Sequence, residues 1–362
     1  MNLFTGSRVA LGAFGLSAGV VASASAQAVD VIAFGSCARE RMAQPVWDEI
    51  LEQDPDVFLF IGDNQYADFW LEGGRMVMKP IPHIERLHEA YAVLGSQPGF
   101  RRARAQTVMM ATWDDHDYGA NDAGKEFEFR EQSREVFMDF YGFSQDDPIR
   151  AHEGIYHSRV FEGDGKTLRI IMLDTRYNRD ALERRKMAGA RGPYGPTRDT
   201  SKTILGEAQW SWLEGELRRD ADVRIIATSI QVIADQHGYE TWGNFPHERE
   251  RLYSLIAETE AEGVVFVSGD RHLIEISRDT PEAVPYPIWD FTSSGMTQAK
   301  GAANDPNDHR VGPVYRETNF GVVRIDWGER PETTAIHLEG YGDESQLLNR
   351  QTVWLSELQI ED

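Results

Sequence analysis

The chain has 362 residues, 41% of them hydrophobic and 27% charged, which suits a large buried core and excludes disordered, collagen-like and disulfide-scaffold classes. Its 59 acidic and 37 basic side chains leave a net charge of −22, which argues against nucleic acid or an anionic membrane as the main partner; a small anion would need local positive charge. Cys37 is the single cysteine, so no internal disulfide can form.

Residues 1–28 begin with a weakly basic start containing Arg8, continue through an apolar run over 9–21 and end on small residues over 22–28. That order predicts a cleavable export signal cut after Ala28, because the apolar run is shorter than the ~20 residues of a membrane-spanning helix. Residues 29–362 contain no Pro/Ser/Gly-rich linker and are expected to form one domain, periplasmic or secreted.

Six apolar runs follow, each leading into a polar cluster. Residues 29–34 lead to Gly35-Ser36-Cys37, 57–61 to Gly62-Asp63-Asn64-Gln65-Tyr66, and 107–112 to Trp113-Asp114-Asp115-His116-Asp117. Residues 168–173 lead to Asp174-Thr175-Arg176, 223–229 to Ile230-Gln231, and 264–268 to Gly269-Asp270-Arg271-His272. Such Val- and Ile-rich runs predict strands buried on both faces. Helices are predicted over 43–53, 84–94, 126–141, 206–219 and 246–260.

The repeated order of strand, polar turn and helix predicts that the clusters gather at the carboxyl edge of one sheet, where open α/β sheets bind ligands. Strand candidates at 288–291, 321–326, 334–338 and 353–358 predict a second, more antiparallel sheet packed on the first, an α/β protein with paired sheets. Residues 179–202 and 300–316 read as long irregular insertions of the lid or binding-loop kind. Within the second, 304–309 reads as a solvated surface loop, since it lacks calcium-loop spacing. Trp70, Tyr177, Tyr194 and Trp242 are candidate pocket walls or packing residues.

Carboxylates of Asp63, Asp114, Asp115, Asp117 and Asp270 crowded at one sheet edge would repel one another unless cations neutralised them. Two ions roughly 3.5–4 Å apart, sharing a carboxylate, stabilise the attacking and leaving oxygens of an in-line displacement at phosphorus. Asp63, directly after a buried strand and a glycine, is the expected bridge. A site rich in carboxylate and phenol, with His272 as the main imidazole, favours hard cations such as Ca²⁺ or Fe³⁺ over Zn²⁺. The Cys37 thiolate suits ferric iron, and ligation would shield a solitary thiol from oxidation.

These clusters, together with Leu173-Asp174-Thr175-Arg176, Leu205-Gly206-Glu207-Ala208-Gln209-Trp210 and Thr292-Ser293-Ser294-Gly295, resemble in order and spread the alkaline phosphatase D (PhoD-like) family of the metallophosphoesterase superfamily. The resemblance implies a metallophosphoesterase-like αββα sandwich, two mixed β-sheets flanked by helices. It implies an exported phosphoesterase that hydrolyses phosphomonoesters, and some diesters, by in-line attack of a metal-bound hydroxide. The implied cofactors are Fe³⁺ and Ca²⁺ in a bi- or trinuclear site, with Cys37, Asp63, Tyr66 and Asp270 around iron, and Asp63, Asp115 and His272 towards calcium.

Asp114 is a further candidate ligand. His116 is expected at the substrate or its leaving-group oxygen, and Arg176 is expected to offer a planar fork to the phosphate. The implied partner is a small phosphate ester, with no nucleic acid and no stable membrane anchor. The single arginine before the apolar run departs from the twin-arginine signal common in the family. Two other readings stay open: a phosphodiesterase or phospholipase-D-like enzyme on a larger substrate, and a catalytically silent phosphate- or metal-binding protein.

Overall fold

Two mixed sheets stacked face to face carry most strands of the computed structural model, which describes residues 27–299 and 305–360. The export segment expected over 1–28 therefore lies, but for its last two residues, outside the described residues, as do residues 300–304 of the second insertion. The six-stranded sheet runs in the order Leu347–Trp354, Ala335–Tyr341, Phe320–Asp326, Val31–Gly35, Val57–Ile61, Val108–Thr112. The seven-stranded sheet runs Arg310–Tyr315, Ile274–Asp279, Ile288–Ser293, Val264–Ser268, Val223–Thr228, Lys166–Met172, His157–Gly163. A separate hairpin pairs Phe69–Glu72 with Arg75–Met78.

The strands are apolar on both faces because both faces are covered. In Val31–Gly35, Ile32 and Phe34 enter the core between the sheets, whereas Val31 and Ala33 join an outer core with side chains of helices Val46–Glu52, Glu85–Ser96, Pro98–Gln106 and Arg130–Tyr141. This is the period of two that a pleated strand imposes. On the far side, Leu213 and Leu217 of helix Glu207–Leu217 and Leu252 and Ile256 of helix Pro246–Glu258 pack against the second sheet. The layers are helix, sheet, sheet, helix, as expected.

The six cluster-bearing strands do not share one sheet. Val31–Gly35, Val57–Ile61 and Val108–Thr112 run parallel in the first, and Lys166–Met172, Val223–Thr228 and Val264–Ser268 run parallel in the second. The change of sheet falls after Thr112, where the chain passes through helix Arg130–Tyr141 and re-enters by an antiparallel pair, His157–Gly163 with Lys166–Met172. Nor do the late strands form a sheet of their own. Phe320–Asp326 pairs antiparallel with Val31–Gly35, whereas Ile288–Ser293 pairs parallel with Val264–Ser268. Hydrophobic periodicity reports that a strand is buried, not which neighbour buries it.

Both parallel groups end at one edge of the sandwich. Thr112 Oγ1 donates to the Leu173 carbonyl at 2.8 Å across the sheets, and Gly269 N donates to the Ser229 carbonyl at 3.1 Å. A Cβ on Gly269 would lie 2.7 Å from Ser36 Oγ and 3.1 Å from the Ile61 carbonyl. The polar clusters therefore converge even though their strands are divided. Among the described residues no helix is long and apolar enough to cross a membrane.

Candidate metal centre

At that edge the chain leaves three strands through turns that ordinary residues avoid. Cys37, Asp63, Asp270 and His272 have φ of 61°, 49°, 65° and 55°, a left-handed conformation that costs roughly 1–2 kcal/mol for a residue with a Cβ. Strain of this kind concentrates at functional sites, where surrounding structure holds it in place. Its product is a set of donors in contact. Cys37 Sγ lies 3.4 Å from Asp63 Oδ2, and the Tyr66 hydroxyl donates to the same oxygen at 3.0 Å. The other oxygen, Asp63 Oδ1, accepts from His116 N at 3.4 Å.

Among the described residues three compact groups result, with ligand atoms within 4.8 Å of one another: Cys37, Asp63 and His272; Asp63, Asp115 and His116; and Asp115, Asp122 and Glu240. Asp63 belongs to the first two, one oxygen turned to each. His272 stands with Cys37 rather than with Asp115, and Asp270 lines the adjoining cavity outside these groups.

The electrostatics are those of an excess of buried donors. Burial, reinforced by Asp63, pushes the Cys37 thiol well above its ordinary range. Burial raises Asp63 likewise; His116 opposes the shift and Asp115, Asp114 and Asp117 add to it. Asp115 Oδ1 is buried without a hydrogen-bond partner. A thiol, a phenol, imidazole and carboxylates that repel one another in a dry space fit bound cations, whose charge reverses that penalty.

His116 is fixed from behind. Its Nδ1 stands 2.9 Å from both oxygens of Asp68, its ring lies against Tyr66 at 4.3 Å and Phe69 at 5.0 Å, and Nε2 is 3.9 Å from Asp115 Oδ1. Burial alone would favour the neutral ring, but Asp115, Asp63 and Asp68 more than reverse this and hold the imidazole pKa well above its ordinary value. Asp68 escaped the sequence reading although it sits two residues beyond Tyr66.

Arg176 is placed differently from the expectation. It is fully buried, and its two terminal nitrogens donate to both oxygens of Glu240 at 2.7 and 2.6 Å while Nε donates to Asp114 Oδ1 at 2.6 Å. The planar fork is thus closed by a carboxylate within the protein. Asp114 is engaged in the same network, its Oδ1 also accepting from Ser229 Oγ at 2.6 Å. Asp117 caps the turn, accepting from Asp114 N at 2.7 Å and Asn64 N at 3.3 Å. Asp174 accepts from the Arg176 and Tyr177 amides and from Trp113 Nε1, so it orders the backbone. Glu240 carries no sequence signal, because it lies in a loop with no motif.

The site opens into a cavity of about 740 Å³. It is lined by Asp115, His116, Asp270 and His272, by Met76 and Met78 of the hairpin, and by Arg271 and Arg316. Of the candidate aromatic walls, Trp242 and Tyr177 are buried packing residues, Tyr194 donates to Asp122 at 2.5 Å, and Trp70 carries the Arg86 guanidinium at 4.3 Å. Within the stretch expected to be solvated, of which residues 305–309 are described, Asp305 is only 5% exposed, because arginines surround it.

Comparison with known proteins agrees with this architecture. The PhoD-like phosphatase family model matches residues 32–324. Alkaline phosphatase D of Bacillus subtilis (strain 168) is 24% identical over 269 residues, covering 66% of this chain and 45% of that protein. The chain thus spans less than half the length of that curated relative. The solved structure of PhoD superposes with a TM-score of 0.64 at 18% identity, over 94% of this chain and 75% of that one. Purple acid phosphatase PPD1 from yellow lupin (Lupinus luteus) seeds gives 0.57 at 12% identity, over 92% and 55%. At these identities the two structures establish a shared fold.

Proposed function

Since the chain belongs to the PhoD-like phosphatase family, we propose that it is a metal-dependent phosphoric ester hydrolase of the alkaline phosphatase D type, acting on phosphomonoesters. In this reading residues 29–362 form one catalytic domain, exported behind the segment 1–28. The observation that supports it most is the carboxylate of Asp63, with one oxygen beside Cys37 and Tyr66 and the other beside His116. Such a group can bridge two cations. Fe³⁺ suits the side with thiol and phenol, and Ca²⁺ the side with Asp115. When bound, the cations would polarise the phosphoryl group and activate water.

The chain's own residues do the rest. Asp68 holds His116 by Nδ1 and leaves Nε2 at the cavity, 3.9 Å from Asp115 Oδ1, so His116 is assigned to the leaving-group oxygen, to which a ring fixed in this way can pass a proton. Arg176 ties Glu240 to Asp114 and thereby positions the turn carrying Asp115; the phosphate fork expected of it is given up.

The test compares initial rates on a chromogenic phosphomonoester and its matching diester at alkaline pH, with added Ca²⁺ and again after chelation. The reading predicts monoester hydrolysis that the chelator abolishes. A faster diester would move the substrate to phosphodiesters. Chelator-resistant turnover, or none from metal-replete protein, would overturn the reading.

A further inference from the structure

In a chain of net charge −22, one wall of the cavity concentrates positive charge. Asp305 Oδ2 lies 2.9 Å from Arg271 Nη2 and 3.2 Å from Arg316 Nη2, and its Oδ1 lies 3.6 Å from Arg191 Nε. The Asp305 carbonyl accepts from Arg310 at 2.8 Å, which ties the loop to the second sheet. The Arg271 guanidinium lies over the Tyr239 ring at 4.1 Å. Arg271 and Arg316 side chains are only 10% and 14% exposed, and the Nε of each is buried with no hydrogen-bond partner.

Three guanidinium groups on one carboxylate leave surplus positive charge. Asp270 reaches Arg271 Nη1 only at 3.7 Å. Buried cations with unused donors need an anion to pay for their desolvation. The expected phosphate fork, Arg176, is closed by Glu240; in the phosphoesterase reading the scissile phosphate would sit at cations held around Asp63, which leaves these arginines to meet a second anion. We propose that Arg191, Arg271 and Arg316, assembled on Asp305, form a subsite for a second anionic group of the substrate, a carboxylate or a phosphate. The preferred substrates are then phosphate esters bearing two acidic groups. The proposal rests on the phosphoesterase reading for its link to turnover, but binding tests it separately.

The experiment measures kcat/KM on two pairs: glycerol 3-phosphate against 3-phosphoglycerate for the carboxylate, and fructose 6-phosphate against fructose 1,6-bisphosphate for the phosphate. Wild-type protein is expected to favour the doubly acidic member of at least one pair by about tenfold, the scale of one charge-assisted hydrogen bond. Arg316→Gln should bring that ratio close to one. Arg191→Gln, at a half-exposed position that threatens the fold less, should lower it in the same direction. No preference in wild-type protein, or an equal fall on both members in the variants, would overturn the subsite. If no ester is hydrolysed, the phosphoesterase reading fails by itself. Calorimetric titration of the same four compounds then decides the subsite: a tighter doubly acidic member in wild type but not in Arg316→Gln supports it, and equal affinities refute it.

Discussion

A buried thiol beside a buried carboxylate is an arrangement that folding alone does not favour. Cys37 is fully buried, 3.4 Å from Asp63 Oδ2; burial raises the cost of ionising both groups, and Asp63 adds to that of Cys37. If a cation is the reason for the pair, Cys37→Ser should keep the fold, lose bound iron and lower the rate by more than the roughly 10–100-fold that follows loss of an outer-shell partner. Unchanged iron content and rate would make the thiol structural. Cys37, Asp63, Tyr66, His116 and His272 were legible in the sequence because each closely follows an apolar run, and a strand end is a fixed place in the fold. Arg176, expected at a phosphate, stands instead between Glu240 and Asp114. A guanidinium in a turn looks alike whether it meets a phosphate or a carboxylate, and its partner Glu240 comes from 64 residues further on. Arg271 stood in plain view inside the string Gly269-Asp270-Arg271-His272, but Asp305, which organises it, was hidden in a loop that resembled solvated surface.

Between strand and side chain stand the turns. Gly62 has φ +109°, and a Cβ there would lie 2.6 Å from the Asp114 Cβ and 3.1 Å from the Ser229 Cβ. Neither neighbour is the far end of a flexible chain, so Gly62→Ala must displace the turn that carries Asp114 and Asp115. The expected cost is about 2–4 kcal/mol from overpacking and backbone strain, read by denaturant unfolding, with hydrolysis falling alongside. A change below about 0.5 kcal/mol, the level of an ordinary surface substitution, would show that the junction is looser than described. The strands of the six apolar runs were legible one by one and their partners were not; His157–Gly163 and Ile274–Asp279 went unread, Arg310–Tyr315 lies where 300–316 reads as irregular, and the strand expected over 353–358 runs instead over Leu347–Trp354. Val31–Gly35 and residues 168–172 are alike in being buried, yet the second pairs with His157–Gly163 and Val223–Thr228 in a different sheet. Hairpin Phe69–Met78 and helix Pro98–Gln106 passed unseen, the one because Leu71, Met76 and Met78 are exposed, the other because arginine dominates its exposed face.

For the whole molecule, the sandwich brings two sets of strand ends to one edge, so residues from distant parts of the chain meet there. Overall acidity and local function pull in opposite directions: the floor of the cavity gathers carboxylates that need cations, and its wall gathers arginines that need an anion. That the polar clusters meet at strand ends could be read from spacing, since buried strands and the residues after them repeat along the chain; the division of those strands between two sheets could not. The wall could not, because it depends on where loops lie. The central claim is that one carboxylate joins two cation positions, and the most direct measurement is the elemental content of purified Asp63→Asn beside wild-type protein. The account predicts more than one bound cation per wild-type chain and the joint loss of both kinds in the variant, with the fold intact. Wild-type protein without bound cations, or a variant that keeps one of them at wild-type stoichiometry, would contradict it.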